Sequence, residues 1–150
     1  MTLQTGEKGF TLMELLVVIG IITIIAASVL TVIPGMSQKA QKKATKAFME
    51  RLEIAIEQYY DDNRTYPSTD ITNLKTTLQP SDSTSKQYIE FDDDELVNDS
   101  GNIKIIDKWG TPFVYTYTPP TSTYYLYSDG PDGITNSSGN DADDINNWSR

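Results

Sequence analysis

The sequence predicts an α+β protein in which a long N-terminal helix packs, through its second half, on a small antiparallel sheet. The helix is indicated by an apolar run over residues 10–33 and by periodic apolar positions over residues 36–62. The sheet is indicated by two strand-like runs, residues 113–118 and 123–128. The last segment, residues 128–150, is acidic and rich in Gly, Ser and Asn, so we expect a loop there.

Composition excludes several classes of function. The chain has 150 residues with no Cys and no His, which excludes disulfides, thiolate chemistry and histidine-dependent catalysis or metal binding. The net charge of −9 argues against nucleic acid as a partner, because phosphate binding needs clustered Lys and Arg. The remaining carboxylates, hydroxyls and backbone oxygens suit hard cations and structural roles.

Residues 10–33 are apolar except for Glu14 and a few small or hydroxyl-bearing residues. As a helix, this run is roughly 36 Å long, enough to cross a bilayer core of about 30 Å. A cleaved signal peptide is the alternative, but its apolar region would be shorter. A carboxylate near a bilayer centre costs at least about 2.5 kcal/mol, so Glu14 either reaches the headgroups or has a specific cationic partner.

The segment 36–62 reads as an amphipathic helix. Its apolar positions recur at three- and four-residue steps. They are Ala40, Ala44, Ala47, Phe48, Leu52, Ala55, Ile56 and Tyr59. A weak helix is predicted over residues 71–79 and a loop from there to residue 102, where the acidic run 92–95 is interpreted as solvated.

Residues 103–127 are rich in β-branched and aromatic residues. A turn over 119–122 joins the two strand-like runs into a hairpin, and Trp109 is expected to anchor the core beside the helix. The acidic segment beyond residue 128 repels itself and has few apolar residues. Composition alone leaves a disordered tail and a calcium loop equally open, and the spacing of an EF-hand is absent.

The run from Lys8 to Val18, Lys-Gly-Phe-Thr-Leu-Met-Glu-Leu-Leu-Val-Val, resembles the N-terminal signal of type IV pilins and type II secretion pseudopilins. The resemblance implies a leader over residues 1–9 that a prepilin peptidase removes between Gly9 and Phe10. The same enzyme would methylate the amine of Phe10. Glu14 would then pair with that amine on a neighbouring subunit and set the register of a filament. One departure is Thr31, where many relatives have a helix-bending Pro; here the nearby Pro is Pro34.

Three further strings resemble the G-type major pseudopilins of type II secretion. They are the Tyr-Pro passage over residues 59–67, the Asp-x-Trp-Gly-Thr-Pro-Phe string from Asp107, and the acidic segment after residue 128. The resemblance implies that the acidic segment is a calcium loop closed by Trp148. By that match the carboxylate ligands are Asp132, Asp143 and Asp144, the backbone ligands are Asp129 and Ile134, and Asp141 is an extra or substitute ligand.

The resemblance therefore implies a structural protein and not an enzyme: a subunit of a type II secretion pseudopilus, with residues 34–150 as a periplasmic head. The implied location is the bacterial inner membrane, crossed once. The implied partners are copies of the same chain, minor pseudopilins, the prepilin peptidase and the inner-membrane assembly platform of the secretion system. A type IV pilus subunit for adhesion, motility or DNA uptake is the alternative, although many such pilins have a disulfide-bonded loop. A membrane-tethered binding or hydrolytic domain is a third possibility, but the sequence shows no group of polar residues beyond the acidic segment that would support it.

Overall fold

The computed structural model of the protein describes residues 9–149, without the side chains of residues 29–35. The predicted leader, apart from Gly9, lies outside the described residues. The chain forms two compact units, Met1–Ser37 and Gln38–Arg150, which are described separately below.

A single helix, α1, extends from Leu12 to Asn63 and comprises 52 residues. It contains both predicted helical segments and is continuous at positions 34 and 35, where the sequence has Pro and Gly. The helix ends because Arg64 adopts a left-handed backbone with φ of 57° while its N–H donates to the Tyr60 carbonyl at 2.7 Å. The following Tyr66-Pro67 step favours extended backbone.

One face of α1 packs on the core of the second unit from Thr45 onward. Leu52 and Ile56 are fully buried, and Phe48 meets Phe113 edge-to-face with 5.7 Å between ring centroids. The prediction of a buried stripe is wrong for its first part, because Ala40, Ala44 and Ala47 are exposed. Alanine has too little apolar surface to decide which face a helix buries. Thr45 and Met49 lie in the core on the adjacent face instead.

The second unit contains a short helix and five short strands. The helix α2 is Ile71–Leu78, and its three apolar residues are buried. The strands are β1 Leu96–Asp99, β2 Asn102–Ile105, β3 Val114–Tyr117, β4 Tyr124–Ser128 and β5 Ile145–Asn146. The hairpin β1–β2 is separate from an antiparallel sheet of order β3-β4-β5, so the sheet structure is more extensive than the sequence indicated. Both β1, within the predicted loop, and β5, within the acidic segment, are corrections to the prediction.

The register of β3 and β4 directs alternate side chains to the core. Tyr115 pairs with Leu126 and both are buried, whereas Thr116 pairs with Tyr125 on the exposed face. Ser128, the last residue of β4, pairs with Ile145 of β5. The acidic segment therefore begins and ends on one sheet, which holds its two ends together.

Candidate functional site

The start of α1 is closed by a reciprocal pair of side chains. The Thr11 hydroxyl oxygen accepts the Glu14 N–H at 3.2 Å, and Glu14 Oε2 accepts the Thr11 N–H at 3.0 Å. This is a capping box, which satisfies donors that the first helical turn leaves open. Phe10 is 82% exposed directly before it. Whether Glu14 pairs with the Phe10 amine of a neighbouring subunit is not tested by a single chain and stays a prediction.

The apolar residues of α1 between Leu12 and Ile25 are exposed on every face of the helix, with 46–83% of their surface accessible. Apolar surface of this extent normally contacts lipid or another protein. Among the described residues, no helix meets the combined length and apolarity required to cross a membrane.

The acidic segment is anchored to the core by Asp107, which is 1% exposed. One carboxylate oxygen of Asp107 accepts the N–H groups of Trp109 and Thr111, both at 2.9 Å. The other oxygen accepts the Ser128 hydroxyl at 2.6 Å, and the Ser128 oxygen in turn accepts the Gly130 N–H at 3.2 Å. A buried carboxylate with three donors is well satisfied. Asp107 therefore fixes where the acidic segment leaves β4.

The two ends of the acidic segment touch at Gly130. This residue has φ of +71°, and a Cβ placed on it would lie 2.6 Å from the Asp143 carbonyl oxygen and 3.3 Å from Asp143 Oδ2. Any side chain at this position would clash, so glycine is required both for its conformation and for the close approach. The approach brings the Asp143 carboxylate beside the turn that starts at Asp129.

Two buried carboxylate oxygens at this place have no hydrogen-bond partner among the described residues: Oδ1 of Asp129 and Oδ1 of Asp144. The second oxygen of Asp144 accepts the Thr135 hydroxyl at 2.9 Å. Burial raises the pKa of the Asp129 carboxyl, and the charge of Asp144 raises it further. Asp107 and Asp132 act in the same direction. The site is thus a concentration of negative charge, and no Lys or Arg among the described residues forms an ion pair with Asp129 or Asp144.

The remaining predicted carboxylate ligands, Asp132 and Asp141, have their oxygens engaged in local hydrogen bonds of the loop. Asp132 is exposed, and its Oδ1 accepts the Ile134 N–H at 3.0 Å in a local turn. Asp141 Oδ2 accepts the Asn136 N–H at 2.7 Å and Oδ1 accepts the Ser137 hydroxyl, contacts that lower the Asp141 pKa. The carboxylate of Asp141 therefore holds the loop together, and this provides an alternative to a role as a ligand.

The end of the segment closes over the exposed face of the sheet. The Trp148 indole N–H donates to Asn140 Oδ1 at 3.0 Å, and its ring lies edge-to-face against Tyr125 and Tyr127 at 5.4 and 6.0 Å. Gly139 lies against the rings of Tyr127 and Trp148, so that a Cβ there would be 2.6 Å from Tyr127 Cγ and 2.8 Å from Trp148 Cη2. The segment is consequently a packed loop within the described residues, and the alternative of a disordered tail is not what the structure shows.

Two protein-family models match the chain, one at its N-terminal segment and one over the head. A family model described as "Prokaryotic N-terminal methylation motif" matches residues 5–30, and the model "Type II secretion system (T2SS), protein G" matches residues 32–148. The second match covers the whole head from the middle of α1 to the closing Trp148. The chain belongs to the type II secretion system protein G family.

Curated relatives with the name type II secretion system core protein G match over nearly their full length. The Escherichia coli K12 protein is 34% identical, with 95% of this chain and 91% of that protein covered. The Pseudomonas aeruginosa protein is 32% identical, with 95% of each chain covered. The crystal structure of the major pseudopilin from the type 2 secretion system of enterohaemorrhagic E. coli matches with a TM-score of 0.50 and 26% identity, covering 77% of this chain and 89% of that one.

The residues of this protein G family member fit a hard cation in part. The described residues contain no group of three or more acidic, His or Cys side chains already arranged around one point. Two carboxylate oxygens lack partners, the Asp143 carboxylate lies beside the same turn, and no ammonium group of the described residues contacts them. This donor set suits a hard cation such as calcium. A calcium ion takes six to eight oxygens, so backbone carbonyls and water would complete its shell.

Two features of the site are not among the sequence predictions. The first is the role of Asp107 in fixing the loop, although an Asp two residues before Trp-Gly is a turn signal that indicates side-chain capping of the following N–H groups. The second is the carboxylate of Asp129, because the resemblance implies only the backbone carbonyl of that residue as a ligand. Its burial follows from the β4–β5 pairing, which has no recognisable pattern in the sequence.

Proposed function

We infer that this chain is a structural subunit of a type II secretion pseudopilus. The observation that supports the inference most strongly is the full-length similarity to core protein G, which extends from the N-terminal motif to the end of the acidic loop. The described head has no feature that would favour a pilus for adhesion or DNA uptake over a secretion pseudopilus. In this proposal the protein acts by assembling and catalyses no reaction.

We propose that the precursor is cut between Gly9 and Phe10 and that the new amine of Phe10 is methylated. The family model for the N-terminal methylation motif, which matches residues 5–30, supports this. A bulky replacement at Gly9 should block removal of the leader, because a peptidase subsite that takes glycine has no room for a side chain. Mass spectrometry of the membrane-extracted protein measures both cleavage and methylation.

The exposed apolar half of α1 is proposed to anchor the subunit in the inner membrane and then to form the core of the filament. Its uncovered surface between Leu12 and Ile25 supports this role, since such a surface needs lipid or neighbouring helices. Glu14 is proposed to meet the Phe10 amine of the next subunit. Only one oxygen of Glu14 takes part in the capping box, so cap and intersubunit ion pair are compatible.

A calcium ion is proposed to occupy the acidic loop, held by Asp129, Asp143 and Asp144 with Asp132 and the Ile134 carbonyl as further oxygens. The ion would supply positive charge where two carboxylate oxygens are buried without partners. Each unsatisfied buried oxygen costs about 1–3 kcal/mol, so the ion would convert a destabilised loop into a stable one. The rest of the loop is already held by Asp107 and by the packing of Trp148.

The proposal is tested by complementation. A secretion-competent bacterium lacking its own core protein G should regain protein export when it carries the gene for this chain together with the matching assembly platform and minor pseudopilins. Glu14→Ala should abolish export and sedimentable filaments while leaving the head folded. If the wild-type chain accumulates, is processed and still restores neither filaments nor export, the assignment to secretion is wrong.

A further inference from the structure

The outer face of the β3–β4 pair carries aromatic residues that do not belong to the core. Thr116 of β3 pairs with Tyr125 of β4 on this face, and Tyr127 follows two residues along the same strand. The end of the acidic segment returns over the face and adds Trp148. Between these elements lies a shallow pocket of about 380 Å³, which we call the aromatic pocket. Its lining residues are Thr116, Tyr125, Tyr127, Ser138, Asn140 and Trp148.

Two rings of the aromatic pocket are more accessible than is usual for this chain. Tyr125 is 52% exposed and Trp148 is 37% exposed. Apart from Phe10, every other aromatic side chain among the described residues is buried or half-buried. The plane of the Trp148 ring stands at 81° to that of Tyr125 and at 80° to that of Tyr127. The pocket therefore presents ring surface in two perpendicular directions that the fold itself leaves uncovered.

The position of Trp148 in the aromatic pocket is fixed by contacts within the chain. Its indole N–H donates to Asn140 Oδ1 at 3.0 Å, and the Asn140 amide donates in turn to the Ser137 carbonyl at 2.9 Å. Gly139 packs so closely against the rings of Tyr127 and Trp148 that any side chain there would clash. A site that is already formed loses less conformational entropy when a ligand binds, and this favours affinity.

The rim of the aromatic pocket is polar but uncharged. No charged side chain of the described residues lines it. The net charge of −9 disfavours an anionic ligand, and without a carboxylate in the lining nothing favours a cationic one. Four hydroxyl groups of the lining have no hydrogen-bond partner in the part of the chain that the structure describes, and each is able to donate and to accept. They belong to Thr116, Tyr125, Tyr127 and Ser138.

We propose that the aromatic pocket binds a neutral glycan. A pyranose ring has an apolar face of C–H groups that stacks on an aromatic ring, and its hydroxyls exchange hydrogen bonds with the hydroxyls of the rim. The volume of the pocket falls within the range of small-molecule sites, about 300–1,000 Å³. A proline-rich peptide also stacks on aromatic side chains, but the indole N–H that would donate to a peptide carbonyl is already used by Asn140. This inference goes beyond the proposed function and does not depend on it.

Saturation-transfer NMR of the full-length protein tests whether a glycan binds. The protein is kept in a zwitterionic detergent with calcium present, because detergents with sugar headgroups would themselves compete for a glycan site. The probes are chitotetraose, maltotetraose and a decaproline peptide. We expect saturation to reach the ring C–H protons of at least one tetrasaccharide. Chitotetraose alone would identify an N-acetylated glycan such as that of a cell wall, and maltotetraose alone would identify a plain glucan.

Substitutions on the exposed face of the sheet locate the site. Tyr125→Ala removes the most exposed ring of the pocket and should weaken binding about tenfold. Tyr125→Phe keeps the ring and should weaken binding less than Tyr125→Ala does. Thr116→Val removes one rim hydroxyl without changing the size of the side chain and should also weaken binding. The matched control is Ile103→Ala, which removes apolar surface of a 37% exposed residue outside the pocket and should bind like the wild type.

Three results would overturn the glycan proposal. The first is the absence of transfer to both tetrasaccharides, and the second is binding that Tyr125→Ala leaves unchanged. The third is transfer to decaproline but to neither saccharide, which would make the aromatic pocket a peptide site. Circular dichroism of the variants should match the wild type, because Thr116 and Tyr125 are exposed. Filament and export assays do not enter these measurements, so a failure of the proposed function and a failure of this inference are distinguishable.

Discussion

Replacing Asp129 by Asn separates the loop's stability without calcium from its ability to bind the ion. The change keeps the size of the side chain and removes the charge of one of the two carboxylates that have a buried oxygen without a hydrogen-bond partner among the described residues. Without calcium we expect the variant to be more stable than the wild type, because the buried charge and its repulsion by Asp144 are lost. Taking the lower end of the cost of an unsatisfied buried group, about 1 kcal/mol, the midpoint of thermal unfolding should rise by about 4 °C.

With calcium the order should reverse. At an ion concentration about 100-fold above the dissociation constant, binding stabilises the wild type by roughly 2.7 kcal/mol, or on the order of 10 °C. Loss of the Asp129 carboxylate should weaken binding about 100-fold, leaving the variant less than about 0.5 kcal/mol of stabilisation at the same concentration. The two unfolding midpoints should therefore cross as calcium is added.

The measurement is thermal unfolding of residues 38–150, the unit that contains the hydrophobic core, in chelator and across a calcium titration. Asp93→Asn is the matched control, because it removes the same charge from an exposed residue outside the loop. If Asp129→Asn is less stable than the wild type in chelator, the carboxylate is not under strain. If the variant keeps the full calcium shift, residue 129 contributes only its backbone carbonyl and the emphasis on its side chain is wrong.

Three further predictions concern the head. Leu52→Ala should destabilise the head by about 2–5 kcal/mol in urea unfolding, because the residue is fully buried, whereas Ile54→Ala on the exposed face should change stability by less than about 0.5 kcal/mol. Glu95→Ala should lower the free energy of unfolding by about 2–3 kcal/mol in the same assay. Glu95 is 3% exposed, and its carboxylate accepts a hydrogen bond from Arg51 of α1 at 2.5 Å. The pKa of the Asp82 carboxyl should be about 2 by carboxyl NMR, because hydrogen bonds first from the Thr84 hydroxyl and then from Ser85 favour the ionised form. This contribution to stability is present above the usual pKa of 3.8 and is lost as the pH falls through about 2.

The long helix and the β3–β4 hairpin could be predicted from the sequence because their signals are local. A periodic apolar pattern predicts a buried helix face, and a run of alternating Tyr and Thr predicts a strand. The prediction of burial fails at Ala40, Ala44 and Ala47, where the apolar periodicity is correct but the small side chains do not determine which face is buried. In that region the contact is set by the turn at Lys108, whose N–H donates to the Thr45 hydroxyl at 3.2 Å.

The missed strands have a different cause. β1 contains only Leu96 and Val97 as apolar residues, and β5 has two residues in all, so neither shows a pattern long enough to be recognised. Both exist because another segment provides the pairing: Leu96 pairs with Ile105, and Ile145 pairs with Ser128. The β4–β5 pairing depends on contacts distant in sequence, which is also why the burial of the Asp129 carboxylate could not be predicted.

The acidic loop bears on a physical difficulty, which is the assembly of many copies of a chain with a net charge of −9. A bound calcium ion would lower the negative charge of each head by two at the place where two carboxylate oxygens are buried without partners among the described residues. If the ion acts in this way, chelation should weaken assembly even where the head stays folded, and it should do so most at low salt, where repulsion between heads is least screened. An assembly that responded to chelator equally at low and high salt would instead mean that calcium acts only by stabilising the head.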